Sequence, residues 1–133
     1  MKIKRSLLLG ITALSFGILS TSANAHAYST FKTIPSTIHG YYIGNHYMAK
    51  ITSKYLTEGA PQSDMYTYKV SHVNKSGQNY RVHTSYSLGG YTSHYNLKIH
   101  RISKYKIKLQ GMPTLHKVSK SHYSWYAKHG FTD

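Results

Sequence analysis

A chain of 133 residues without cysteine forms no disulfide, whatever compartment it reaches. Only three carboxylates stand against 17 Lys and Arg, so the chain is strongly basic and poor in the paired acids of general acid–base catalysis. These counts exclude thiol nucleophiles and cysteine-ligated metals, and they favour anionic partners.

The first segment, Met1 to Ala25, reads as a secretory signal peptide. Lys2, Lys4 and Arg5 make its charged start, and Leu7 to Leu19 its apolar core. Ala23-Asn24-Ala25 fits the small-x-small cleavage rule, and Ala25-His26-Ala27 fits it as well, so the cut falls after Ala25 or Ala27. The apolar core is too short for an ordinary membrane span of about 20 residues. The processed chain is therefore expected outside the cell, free or held to the envelope by non-covalent contacts, and not membrane-spanning.

Removing the segment takes three of the 17 cations with it, leaving 14 against three carboxylates, a balance of +11. All ten His remain, and full protonation would raise the charge to +21. Residues 26–133 suffice for one domain. Such a balance suits an anionic cell-wall polymer or another acidic surface, and secretion argues against nucleic acid.

His26 to Thr33 reads as a loose lead-in, with strands expected between residues 33 and 119. Pro35 to Leu56 then reads as a β-hairpin. Ile38, Gly40 and Tyr42 alternate onto one face, Gly44-Asn45 is the turn signal, and Tyr47, Ala49, Ile51, Ser53 and Tyr55 form the less charged face of the second strand. The pattern P-x-x-I-x-G-x-Y over residues 35–42 resembles the opening of lipocalin-like barrels, in which a glycine precedes an inward aromatic by two positions. Tyr42 here takes the place where tryptophan is usual. The layout of residues 31–119 is similar to that of small secreted lipocalin-like proteins of lactic-acid bacteria. That resemblance implies a barrel with a ligand cavity and implies no established activity.

Thr57 to Asp64 reads as a loop, its two acids solvated. Met65 to Val73 is the third strand, with Tyr66, Tyr68 and Val70 on one face, and Asn74 to Gly77 its turn. Gln78 to Tyr86 follows, with Tyr80, Val82, Thr84 and Tyr86 inward and Asn79, Arg81 and His83 outward. Gly89-Gly90 breaks the chain. His94 to Arg101 sets Tyr95, Leu97 and Ile99 against Asn96, Lys98 and His100, and the pattern slips near Arg101-Ile102, which marks a bulge or a turn. Tyr105 to Gln110 sets Tyr105, Ile107 and Leu109 against Lys104, Lys106 and Lys108. Leu115 to Ser119 is a short closing strand. Residues 120–133 fit either a short helix from a Ser121 cap to Gly130 or another strand. The fold class is thus all-β: a small antiparallel meander or lipocalin-like barrel of six to eight strands. Tyr42, Val82, Leu97, Ile99, Ile107 and Leu109 are its expected core.

No nucleophile elbow, phosphate loop or zinc-binding His motif is present, so no enzyme activity, cofactor or metal is predicted. His94 and His100 share a face, but Lys98 lies between them. Two binding readings remain. Lys98, Lys104, Lys106 and Lys108, with Arg81 on a neighbouring strand, form a basic outer face for a polyanion. Alternatively Tyr42, Tyr66, Tyr68, Tyr80, Tyr86 and Tyr95 line a cavity for a small amphiphile or glycan.

Overall fold

A computed structural model describes residues 28–130. The expected signal segment and both expected cleavage positions lie outside the described residues. Among the described residues nine strands follow in chain order: β1 (Ser29–Phe31), β2 (Gly40–Gly44), β3 (Tyr47–Ile51), β4 (Tyr55–Gly59), β5 (Met65–Ser76), β6 (Asn79–Leu88), β7 (Tyr91–Ser103), β8 (Lys106–Leu109) and β9 (Thr114–Val118). A 3₁₀ turn (Ser36–Ile38) precedes β2, and the helix α1 (Lys120–His129) follows β9.

Strands β2 to β9 pair antiparallel in sequence order, and β9 returns to pair with β2. The result is a closed eight-stranded meander barrel, lipocalin-like in outline. Closure leaves few edges to protect, and a ring of eight strands is just wide enough for side chains to fill. Strand β5 is long enough to serve two neighbours on one edge: Met65 to Lys69 pair with β4, and Val73 to Lys75 with β1.

Period-two alternation decides what fills the barrel. Tyr42, Ala49, Ile51, Leu56, Val70, Val73, Tyr80, Val82, Ile99, Ile107, Leu109 and Leu115 all turn inward and are buried. Ile34 and Ile38 plug one end, where the Tyr42 hydroxyl donates to the Ile38 carbonyl at 2.9 Å. Thr37 Oγ1 and the Tyr80 hydroxyl meet at 2.9 Å beside them. Lys117 and Lys75 lay their ammonium groups over the Tyr42 and Tyr80 rings, 5.6 Å from each centroid. Five of the six expected core residues are buried, and Leu97 is half-buried near the opposite, far end.

The helix covers the outside of the barrel rather than its mouth. Ser119 Oγ caps it by accepting from the His122 amide, and Gly130 ends it in the left-handed conformation. Tyr126 packs over Ile43 and Met48, the outward residues of β2 and β3. Its hydroxyl donates to the Gly44 carbonyl and accepts from the His46 amide, pinning the β2–β3 turn.

Several boundaries differ from the sequence expectation. Ile38 sits in the 3₁₀ turn, because Pro35 starts a turn there rather than a strand. The long second strand is in fact two, β3 and β4. The break at Thr52 to Lys54 carries no glycine or proline and is held by the Thr52 amide and hydroxyl on Tyr55. Tyr55 therefore points outward, and Glu58 lies in a strand rather than a solvated loop. The β5–β6 turn is Gly77-Gln78, three residues later than expected. Tyr105 is exposed in the β7–β8 turn, not in the core. The lead-in contains β1, the tail is helical to His129, and its cap is Ser119 rather than Ser121. The slip near Arg101 is a bulge, with the register shifting between Arg101 and Ser103.

Gly44 serves the seam of the barrel rather than the turn. A β-carbon there would lie 2.6 Å from Leu115 Cδ2 and 2.7 Å from the Thr114 carbonyl oxygen, a backbone atom that cannot step aside. Gly44→Ala should therefore cost about 1–3 kcal/mol as an overpacking change. Chemical denaturation measures it; an unchanged midpoint would mean that β2 and β9 do not approach this closely.

Candidate functional site

Two surface hollows collect the side chains singled out above. The first lies on the outer face of β5 to β8. Register places Asn74, Arg81 and Lys98 in one row across β5, β6 and β7, and Asn79, His100 and Lys108 in the next row across β6, β7 and β8. Arg81 and Lys98 are directly opposed, and Lys108 is diagonal to Lys98. Together with Tyr28, Ser76 and Gln110 these residues line a groove of about 380 Å³. Among the described residues no carboxylate lines it.

Three of the five expected polyanion contacts, Arg81, Lys98 and Lys108, therefore come together. Lys106 continues the outer face of β8 opposite His116, one step beyond the groove. Lys104 does not join them: it sits in the β7–β8 turn with its ammonium 5.5 Å from the Tyr105 centroid. Asn74, Asn79, His100 and Gln110 were missed as lining groups. The Gly77 turn could have revealed Asn74 and Asn79, because counting back from it fixes their rows. Polar partners preset the groove: Lys108 Nζ donates to the Met112 carbonyl at 2.6 Å, and His100 Nδ1 meets Asn79 Oδ1 at 2.8 Å.

The second hollow is the far end of the barrel. Strand β8 stops at Leu109, while β7 runs on from Leu97 back to Tyr91 without a neighbour on that side among the described residues. The inner face of the β6–β7 hairpin is thereby uncovered. Tyr66, Tyr86, Tyr68 and Tyr95 form a chain of rings there, with successive centroids 5.8, 5.5 and 5.7 Å apart. Below them Tyr47, Glu58, Gly59, Ala60, Ser63, Asp64 and Tyr66 line a hollow of about 430 Å³. The Tyr47 hydroxyl donates to Glu58 Oε1. Burial, then the bond to Glu58, pushes the Tyr47 phenol well above its usual range. Tyr68 is pushed up to about 12 by burial first and by Glu58 second.

The six tyrosines expected to share one cavity thus divide. Tyr42 and Tyr80 are packing in the filled interior, and Tyr66, Tyr68, Tyr86 and Tyr95 gather at the far end. No described helix is long and apolar enough to cross a membrane. The fold defines the chain as an eight-stranded up-and-down β-barrel. Comparison with protein families, curated proteins and solved structures finds no match.

Proposed function

We propose that this protein is a secreted, non-catalytic binding protein, related to the small lipocalin-like proteins its layout resembles. It docks an anionic polymer of the cell envelope along the outer face of β5 to β8. One observation carries the reading: Arg81 and Lys98 stand directly opposite each other, with Lys108 diagonal, in a groove that no carboxylate lines among the described residues. Like charges so opposed cost roughly 0.2–1 kcal/mol, a cost that a bound anion relieves. Arginine grips a phosphate or carboxylate by two parallel hydrogen bonds, and amide and imidazole neighbours add donors.

The test is co-sedimentation with purified anionic wall polymer. The triple variant Arg81→Gln, Lys98→Gln and Lys108→Gln should bind at least about tenfold more weakly, as loss of roughly 1.4 kcal/mol requires. A control that removes the same charge elsewhere, Lys50→Gln, Lys54→Gln and Lys128→Gln, should lose much less. Equal losses would show that net charge, not the groove, does the binding. A second reading, a carrier of a small amphiphile or glycan, is favoured by the tyrosine chain at the far end.

A further inference from the structure

The far end of the barrel differs from the rest of the surface in charge. Among the described residues the carboxylates are Glu58 and Asp64, and both line the same hollow. Fourteen Lys and Arg occupy the described residues, and the hydrogen bond that Glu58 accepts comes from the Tyr47 phenol. That phenol holds the carboxyl group in place. A carboxylate has about four acceptor sites, so one phenol donor leaves others for a ligand.

Aromatic walls complete the arrangement. Tyr66 is opposite Glu58 in the β4–β5 register and is 47 % exposed. Tyr86, Tyr68 and Tyr95 continue the ring surface outward, and Tyr95 is 46 % exposed. Ring faces carry negative potential and attract cations, most of all where water is partly excluded. A carboxylate at the floor and tyrosines at the walls is the chemistry that recognises an ammonium group on an organic body. Simple metal ions lack the apolar surface that the rings would cover.

From this geometry we infer that the far end of the barrel is a binding site for an organic ammonium group, held by Glu58 and Asp64 with Tyr47 and Tyr66 as its aromatic walls. The surrounding positive charge of the protein disfavours small free cations, so affinity comes from direct contacts rather than from long-range attraction. The hollow and the basic groove have different lining residues and opposite ligand charges, although Glu58 and Lys98 also line one smaller hollow together, so each ligand is assayed separately.

The experiment titrates the processed protein with choline and, separately, with 3,3-dimethylbutan-1-ol, a neutral molecule of nearly the same shape. Tyrosine ring resonances report the site. Choline should shift the Tyr47 and Tyr66 rings saturably, and the neutral analogue should bind at least about tenfold more weakly, the worth of one or two cation–π contacts. Glu58→Gln and Tyr66→Ala should each weaken choline by about the same factor while leaving polymer sedimentation unchanged. Asp64→Asn, a change in an exposed loop, repeats the charge test without touching the barrel interior. Equal binding of choline and its neutral analogue would overturn the inference, as would unchanged choline affinity in Asp64→Asn and Glu58→Gln, or saturable binding of a neutral sugar in place of choline.

Discussion

Replacing Tyr42 with alanine should lower the free energy of unfolding by about 3–5 kcal/mol, the usual range for truncating a large buried aromatic. The ring is 1 % exposed and packs at the end of the barrel that Ile34 and Ile38 plug. Truncation removes its packing, its bond to the Ile38 carbonyl and the surface on which Lys117 rests. Tyr42→Phe keeps the ring and strands only that carbonyl, so it should cost about 1–3 kcal/mol. Tyr91→Ala, at an 81 % exposed site near the hairpin tip, should stay within about 0.5 kcal/mol. Urea midpoints of the three variants rank them; a Tyr42→Ala protein as stable as Tyr91→Ala would show that the barrel interior is not organised around this ring.

Alkali should unfold the protein between about pH 10 and pH 12 through the same tyrosines. Burial pushes the Tyr42 phenol up to about 12, partly opposed by the nearby Arg101 charge and reinforced by Tyr80. Tyr123, under its neighbour Tyr41, is likewise pushed up to about 12 by burial first. Below pH 10 both the folded and the unfolded chain hold these protons, and stability does not depend on them. As pH rises from 10 to 12 the unfolded chain loses them and the folded chain does not, so stability falls. Each fully shifted phenol contributes about 1.4 kcal/mol per pH unit. Tyr42, buried outright, contributes in full, whereas the partly exposed Tyr68 and Tyr123 contribute less. Phenolate absorbance and circular dichroism should therefore change together at the end of the titration. Complete phenol ionisation with the strand signal intact would contradict the burial described for Tyr42.

Strands with clean alternation were legible. Over β6 and β7 the pattern of Tyr80, Val82, Thr84 and Tyr86 against Arg81 and His83 predicts both faces correctly, and the slip at Arg101 marks a real bulge. Strand β4 was not legible, because Glu58-Gly59 followed by Pro61 has the composition of a loop. Its strand character comes from tertiary pairing: β3 and β5 flank it on both sides. The groove was half legible. Alternation alone puts Lys98 and Lys108 outside, but the neighbours that complete the groove depend on turn positions and cross-strand register. The division of the tyrosines was not legible at all. It follows from the four-residue length of β8 beside the thirteen of β7, which no face pattern encodes.

The salt dependence of polymer binding is the most direct measure of whether the outer face of β5 to β8 holds a polyanion. A ligand held by several surface cations releases counterions on binding, so its affinity falls steeply as salt rises from about 0.05 M to about 0.2 M. Log affinity should fall linearly with log salt concentration, with a shallower slope for the Arg81→Gln, Lys98→Gln and Lys108→Gln variant. An affinity for anionic wall polymer that is the same at both salt concentrations, or a variant whose slope equals that of the parent, would contradict polyanion binding by that face.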